Sequence, residues 1–426
     1  MKEESNMEQT FLTKVDIKKV RHLHEISIPL STESRKHLLL TGKNGSGKTS
    51  VLEALVRHLQ FIISNQYESE KEIRHSYDFW TTKIENSEHM IESEQNRIEI
   101  QKYKRNMLQY FNLLKYWCEG AVAECTSFAT LREKYQSGRF ILAYYGDNRK
   151  FQVEKYTNIE KIELEEKYNI TDTPGNKLTK YLVDLKATQA FAKNSEKASQ
   201  INAWFARFES ILKKIFDDQD LKLEFNEDSF QFTIHETGRE PFDFNTMSSG
   251  YAAVLDIVND LIIRMEAQSK LRNSFDLEGI VLIDEIETHL HLELQKKILP
   301  MLTELFPNLQ FIVSTHSPFV LSSLDNAVIY DLEKEILIED GLKDLPYEGI
   351  VEGYFGVDRL ADELREKIER YKNLVDKKLV GENELSDEEY AEIEELESSL
   401  DEIPDGLAPE VAAEYSRLKL EFSNRG

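Results

Sequence analysis

The stretch GKNGSGKT, from Gly42 to Thr49, decides the fold of this 426-residue chain. It matches the pattern G-x-x-x-x-G-K-[ST] in full, and it lies between the apolar run HLLL and the apolar-striped segment TSVLEALVRHLQFII. A buried strand, a glycine-rich turn and a helix N-terminus in this order bring backbone amides and the helix dipole to face a phosphate. The sequence therefore predicts a P-loop nucleotide-binding site in an α/β fold.

Each residue type in this turn has a physical role at a phosphate. Its glycines let the backbone wrap the anion, and Lys48 supplies a positive charge to the β- and γ-phosphates. The hydroxyl of Thr49 is the expected Mg²⁺ ligand on this side of the site. The predicted ATP-binding set on this turn is Gly42, Asn44, Gly45, Ser46, Gly47, Lys48, Thr49 and Ser50.

Two carboxylates follow a second apolar run. GIVLIDE, residues 279–285, reads as a buried strand that ends in Asp284 and Glu285. We expect Asp284 to hold Mg²⁺, directly or through its second shell, and Glu285 to orient and polarise the attacking water. An apolar strand that ends in acids is common by itself, so this interpretation depends on its pairing with GKNGSGKT.

A histidine follows a third apolar run. LQFIVSTHSP, residues 309–318, places His316 just past a predicted strand. An imidazole at that point can reach a γ-phosphate and sense its loss, whereas a lone histidine is usually an incidental surface residue. Its position after two matched elements favours the phosphate role, so His316 joins Lys48 and Glu285 as a predicted catalytic residue. Consecutive apolar strands joined by helices also predict a parallel sheet that is buried on both faces.

A turn of small residues, MSSGY at residues 247–251, opens a predicted helix that continues to Met265. A helix N-terminus with small residues and free amides can bind an anion, and a plain serine N-cap is the alternative. Because GKNGSGKT already contacts the phosphates from one side, a second anion site is best used from across a dimer.

Composition divides the chain into segments. Residues 1–66 contain alternating strands and the P-loop, and residues 136–345 contain MSSGY, GIVLIDE and STH. Residues 67–135 are charged and aromatic without proline, which indicates a helical insertion. Residues 346–426 are helical in pattern and acidic, with eleven acidic and no basic residues between Glu382 and Glu402. This acidic run indicates either a solvated helical tail or a docking surface for a basic partner.

Bulk properties limit the class of protein. The formal net charge of −25 argues against a surface that grips nucleic acid throughout, although the patch KYKRN at residues 102–106 leaves DNA binding open without supporting it. No apolar run approaches the length of a membrane span, and the polar start MKEESNMEQTF lacks a signal-peptide core. Two cysteines, Cys118 and Cys125, make no disulfide framework. We expect a cytoplasmic protein without membrane association.

The order GKNGSGKT, MSSGY, LIDE and STH resembles the ABC-type ATPases of the SMC and OLD group. In that family a signature turn, usually LSGGQ or LSSGE, contacts the γ-phosphate bound to the opposite subunit; here Met247 and Tyr251 depart from it. The resemblance implies an ABC-type P-loop NTPase fold, that is, an α/β fold with a mixed or parallel sheet, a helical insertion and a helical C-terminal region. It also implies an ATP-sandwich homodimer in which the neighbour's ATP is contacted by Ser248, Ser249 and Gly250. We place the Q-loop of the family at residues 147–149.

The segments NAWFARFESILKKIF, LEFNEDSFQF and FDFNTMSSGYAAVLDIV extend the resemblance, over roughly residues 11–340, to stand-alone ATPases of bacterial anti-phage systems. These are the Septu, retron-associated and PARIS ATPases. The resemblance implies an ATP-hydrolysing enzyme that regulates a separately encoded nuclease or toxin; the residues after STH match no nuclease pattern. The alternatives are a DNA-repair ATPase of the SMC type, whose long coiled-coil arms are missing here, and a scaffold held by ATP with little turnover.

Overall fold

The twelve strands and eleven helices below are those of a computed structural model of the chain. It describes residues 9–87, 94–147, 149, 159–192, 195–269, 275–339, 341–342, 362–380, 385–401, 415–420 and 422. The strands are β1 (Leu12–Val20), β2 (Leu23–Pro29), β3 (His37–Thr41), β4 (Gly120–Cys125), β5 (Phe140–Tyr145), β6 (Lys222–Asn226), β7 (Gln231–His235), β8 (Phe242–Asp243), β9 (Glu278–Ile283), β10 (Leu309–Ser314), β11 (Ala327–Asp331) and β12 (Ile336–Ile338). The helices are α1 (Lys48–Ile63), α2 (Glu70–Ser87), α3 (Glu94–Cys118), α4 (Phe128–Gln136), α5 (Leu178–Phe191), α6 (Ser195–Phe216), α7 (Ser249–Ser269), α8 (Leu292–Leu305), α9 (Pro318–Leu321), α10 (Asp362–Val380) and α11 (Asp387–Asp401).

The chain divides into two compact units, residues 1–347 and 348–426. In the first unit a six-stranded sheet has the order β12-β11-β3-β10-β9-β5. Only β12 runs antiparallel to its neighbour, so the sheet is mixed but mostly parallel. The predicted α/β fold with a mixed or parallel sheet is confirmed. Parallel strands end at the same edge of a sheet, and this edge therefore collects the residues that follow β3, β5, β9 and β10.

An antiparallel sheet of order β2-β1-β4 packs with α1 around one large apolar core. Gln310, fully buried on β10, joins this sheet to the central one: its Oε1 accepts from the Leu12 amide at 2.7 Å, and its Nε2 donates to the Leu12 carbonyl at 3.0 Å. A buried amide side chain that makes these bonds fixes the register between the two sheets. A second antiparallel sheet has the order β6-β7-β8.

Helices α2 and α3 pack against each other in the segment predicted as a helical insertion. The prediction of helix through 67–135 is wrong for residues 120–125, because these form β4 and pair with β1 before α4 begins. The pairing buries Ala121, Val122 and Ala123, so tertiary packing overrides the helix preference of alanine. The strands β11 and β12 extend the central sheet beyond the elements that the sequence predicted.

In the second unit, α10 and α11 share a small apolar cluster with Tyr415 and Leu418. Acidic side chains of α11 pair with basic ones of α10: Arg370 contacts Glu392 at 2.7 Å and Lys377 contacts Glu389 at 2.6 Å. Part of the acidic run is therefore satisfied within its own unit. In the parts of the chain that the structure describes, no helix has the length and apolarity to cross a bilayer.

Candidate nucleotide site

The P-loop joins β3 to α1 at the carboxyl edge of the central sheet. Its glycines at 42, 45 and 47 have φ of 127°, 85° and 101°, a region that residues with a side chain rarely adopt. At Gly47 space is also limiting, since a Cβ there would lie 2.9 Å from Leu23 Cδ1. Lys48 is buried and curls back over the turn, where its Nζ donates to the carbonyls of Gly42 at 2.9 Å and Lys43 at 3.3 Å.

The other predicted residues of this turn differ in exposure. Asn44, Gly45 and Thr49 are exposed, whereas Ser46 and Ser50 are buried. The Thr49 hydroxyl thus lies at the surface of the first turn of α1. There it is accessible to a metal ion bound with a nucleotide.

The predicted carboxylates follow β9 directly. Asp284 is fully buried, and its Oδ1 accepts a short hydrogen bond from the Ser314 hydroxyl, whose oxygen accepts from the Glu285 amide at 2.8 Å. Ser314, the last residue of β10, therefore ties the two strand ends together. Glu285 has φ of 44°, an uncommon conformation for a non-glycine residue and one that is concentrated at functional sites.

The STH segment lies beside the P-loop, because the Thr315 amide donates to the Leu40 carbonyl at 3.0 Å. The Nδ1 atom of His316 lies 3.5 Å from Lys48 Nζ. An ammonium can only donate, so this contact makes Nδ1 the acceptor and assigns the ring proton to Nε2. Burial, and next the charge of Lys48, lower the pKa of His316. The imidazole is therefore neutral at pH 7.

Burial also lowers the pKa of Lys48, and the nearby carboxylates, Glu285 first, act in the opposite direction. The positive charge of this lysine is thus held in a partly desolvated site among acids. An ammonium in such surroundings interacts strongly with added negative charge.

Two further side chains complete this edge. Arg149 donates from Nη1 to the Asp284 carbonyl at 2.9 Å and from Nη2 to the Glu285 carbonyl at 2.8 Å. The predicted Q-loop range, residues 147–149, includes this arginine but gave it no role. Its position just past β5 is the feature of the sequence that could have identified it. Glu287, which the sequence analysis missed, accepts from the His316 amide through Oε1. No pattern in the sequence marks it.

Several buried polar atoms at this edge have no hydrogen-bond partner among the described residues. They are Ser46 Oγ, Arg149 Nε, Asp284 Oδ2, Glu287 Oε2 and His316 Nε2. Such atoms are rare in folded proteins, and a group of them indicates a place where a polar ligand binds. The donor set suits a magnesium nucleotide: amides and an ammonium face phosphates, and a hydroxyl with carboxylate oxygens suits Mg²⁺.

The MSSGY turn lies at the N-terminus of α7. The side chains of Ser248 and Ser249 are exposed, and the Ser248 carbonyl accepts from the Ala252 amide at 3.0 Å. Gly250 is buried, and a Cβ there would lie 3.2 Å from the His289 carbonyl oxygen. Tyr251 stacks on Phe216 of α6, with ring centroids 4.3 Å apart. The residue that departs from the signature pattern therefore packs within its own chain and leaves both serines outward.

Comparisons with known proteins show what this chain resembles. A family described as "AAA domain, putative AbiEii toxin, Type IV TA system" matches residues 134–322. The chain is 27% identical over 378 residues to the Septu protein PtuA of Bacillus mycoides, covering 85% of this chain and 47% of that protein. It is 25% identical over 357 residues to the Retron Vc95 probable ATPase of Vibrio cholerae, covering 70% of this chain and 69% of that protein.

The predicted resemblance of the chain to Septu and retron ATPases is confirmed, and the chain spans about half the length of the Septu relative. A 134-residue match to the Escherichia coli Retron Ec83 probable ATPase is 34% identical and covers 30% of this chain and 25% of that protein. Among solved structures, the match to an SMC head bound to the C-winged helix domain of ScpA covers 75% of this chain and 94% of that chain, at 15% identity and a TM-score of 0.37.

Proposed function

We propose that this ATPase binds Mg·ATP at the carboxyl edge of its central sheet and hydrolyses it within an ATP-sandwich homodimer. One observation carries the proposal: the P-loop lysine, the two carboxylates after β9 and the histidine after β10 converge through short contacts. Lys48 lies 3.5 Å from His316, and Ser314 bonds both Asp284 and the Glu285 amide. These groups serve one reaction, the transfer of a phosphoryl group to water.

The roles follow from the chemistry of each group. Lys48 and the P-loop amides neutralise the β- and γ-phosphates, and the neutral His316 donates from Nε2 to a γ-phosphate oxygen. Thr49 and Asp284 would hold Mg²⁺, which would supply positive charge to the phosphates. Glu285 orients the water and accepts its proton; the bonds of its backbone to Arg149 and Ser314 fix where its carboxylate points.

The exposed signature turn supports the dimer. Ser248, Ser249 and the N-terminal amides of α7 form a half-site that faces outward. In the proposed dimer this half-site closes on the γ-phosphate of the neighbour's ATP. Binding then closes the dimer and hydrolysis opens it.

The relatives support a role in anti-phage defence, in which the open or closed state regulates a separately encoded nuclease or toxin. Two relatives carry the names of retron ATPases and two that of a Septu protein. The α2–α3 pair and the acidic second unit offer surfaces for such an effector. The strongly negative net charge disfavours the alternative of a DNA-repair ATPase. A scaffold with little turnover would conflict with an intact set of Lys48, Asp284 and Glu285.

The substitution Glu285→Gln tests the catalytic assignment. Removing the proton acceptor while keeping the shape of the side chain should lower the turnover number at least about 100-fold. Affinity for a fluorescent ATP analogue should change less than about twofold, because the P-loop is untouched. Phosphate release and analogue titration measure the two quantities.

Glu133→Gln, an exposed residue of α4, is the matched control and should keep both values. Wild-type turnover in Glu285→Gln would contradict the role of Glu285. Equal loss of affinity and turnover would show that Glu285 contributes to binding rather than to the chemical step.

A further inference from the structure

A basic cleft of about 510 Å³ lies between β1, α1, α3 and β4, away from the residues of the nucleotide site. Four cations line it, Lys19, Arg21, Arg57 and Lys115, together with one carboxylate, Glu119. The whole chain carries a net charge of −25, so a local excess of positive charge stands out. Clustering of like charges costs free energy unless an anion compensates it.

These cations are available to a ligand. All four side chains are exposed. Among the described residues, the side chains of Lys19, Arg21 and Arg57 have no hydrogen-bond or ion-pair partner, and the Lys115 ammonium lies over the ring of Phe111 at 5.3 Å. They come from distinct elements that the fold brings together: β1 pairs with β4 so that Lys19 lies opposite Gly120, and α1 packs on β4.

The cleft is also lined by small residues, and a hydrogen bond beside them joins two of its elements. Ala54, Gly120 and Ala121 line it, and a Cβ at Gly120 would lie 3.6 Å from that of Ala54. Beside them, buried His58 donates from Nδ1 to the Tyr116 carbonyl at 2.8 Å. This bond ties the end of α3 to α1, and with it the backbone that carries Lys115.

The cleft is separate from the P-loop. Arg57 lies nine residues after Lys48 on α1, a rise of about 14 Å along the helix axis. No residue of GKNGSGKT, and none of Asp284, Glu285 or His316, lines the cleft. A ligand in the cleft would therefore contact none of the P-loop residues.

We propose that this cleft is a second phosphate-binding site, for a compact ligand that carries several phosphate groups, such as a nucleoside polyphosphate. The volume is in the range of small-molecule sites, roughly 300–1,000 Å³. Two arginines provide forked donors for phosphate oxygens and the lysines provide point charges. Phosphates of a small molecule and of a nucleic acid share this chemistry; the cleft size favours the small molecule over a duplex.

The test uses the full chain carrying Lys48→Ala, so that the P-loop lysine does not contribute. Titration calorimetry with inorganic tripolyphosphate at fixed ionic strength should detect binding. Adding Arg57→Gln and Lys115→Gln should weaken that binding at least about tenfold, because two of the four cations are lost. Lys71→Gln with Lys102→Gln, two exposed lysines that do not line the cleft, should leave it within about twofold.

A fluorescent 20-base-pair duplex forms the second arm of the test. Its binding should not differ between the cleft variant and the control variant. Equal tripolyphosphate affinity in the two variants would overturn the proposal. So would a cleft-dependent loss of duplex binding that tripolyphosphate does not compete with, since it would assign the cations to a nucleic acid. Neither result bears on ATP hydrolysis, which is measured with Lys48 intact.

Discussion

The N-termini of α1 and α7 are built from the same physical device, yet they differ in what surrounds them. Both present backbone amides and the positive end of a helix dipole after a turn of small residues. At α1 the glycines wrap inward, Lys48 is buried, and carboxylates and His316 lie nearby. At α7 the serines of the turn point to solvent, and its glycine is committed to packing against the His289 carbonyl.

This contrast indicates that the two helix N-termini have different roles at a phosphate. The α1 end has the charge, the buried unpaired polar atoms and the carboxylates that a reacting phosphate needs. The α7 end offers only hydroxyls and amides, which can contact a phosphate that is held elsewhere. The contrast supports our proposal that the α1 end binds the reacting nucleotide and that the α7 end contacts the nucleotide bound to a second subunit.

Mixing two inactive variants tests whether the α7 end of one subunit acts on the α1 end of another, and its expected effect on activity is large. Lys48→Ala should lose ATP binding, and Ser248→Arg should block the cap; each alone should hydrolyse ATP at below about a hundredth of the wild-type rate. A mixed dimer keeps one intact site, which joins the P-loop of the Ser248→Arg subunit to the cap of the other. An equimolar mixture should therefore recover about a quarter of wild-type activity.

Phosphate release from the mixture, compared with each variant alone, gives the answer. Ser248→Ala is the control for the bulk of arginine, and it should lose far less activity because the amides of the turn remain. No recovery on mixing would place the cap and the P-loop of one site in the same chain. Full activity of Ser248→Arg by itself would remove the turn from the reaction altogether.

Most of what the sequence could predict rests on local patterns. GKNGSGKT, MSSGY, LIDE and STH are local patterns, and each shows its strand or helix through neighbours a few residues away. Their meeting at one edge follows from parallel strands ending together. The sequence therefore sufficed for the mostly parallel sheet and for the position of Lys48, Asp284 and His316 at its edge.

What it missed depends on long-range contacts. GAVAEC, residues 120–125, carries helix-favouring alanines, and only its pairing with β1 makes it a strand. Glu287 reaches the His316 amide across two strand ends. Tyr251, which departs from the signature pattern, stacks on Phe216, 35 residues earlier in the chain. Such partners have no local signal.

Substitution of Arg149 tests the carboxylates beside the α1 end, and we expect an intermediate effect on the turnover number. Its guanidinium bridges the carbonyls of Asp284 and Glu285, so Arg149→Ala should loosen the carboxylates and lower the turnover number about tenfold. The KM for ATP should change less than about twofold, because the phosphate contacts remain.

Arg149→Lys keeps the charge but cannot bridge both carbonyls, so it should restore only part of the turnover. Arg139→Ala, an exposed arginine of a surface ion pair, serves as the control. A rise in KM that matches the fall in turnover would mean that Arg149 contacts substrate directly. Steady-state kinetics over a range of ATP concentrations separates these outcomes.

Substitution of Asp256 tests how α7 is anchored, and we expect a small effect, on stability. Burial, and then the charge of Asp260, raise its pKa to about 6, and Arg149 opposes this shift. A carboxyl with a raised folded-state pKa contributes stability that is fully present below its unfolded pKa of about 3.9 and is lost as pH rises through about 6. At pH 7–8 the ionised Asp256 therefore weakens the anchoring of α7.

Asp256→Asn should accordingly raise the free energy of unfolding at pH 8 by about 1–2 kcal/mol, or the Tm by about 2–4 °C, and should bring no gain at pH 4. Thermal melts at both pH values measure the difference, and Asp78→Asn, on the exposed face of α2, is the control. An equal gain at both pH values would assign the effect to packing instead of to charge. A gain confined to high pH would mean that α7 carries an ionised carboxylate at a cost in stability.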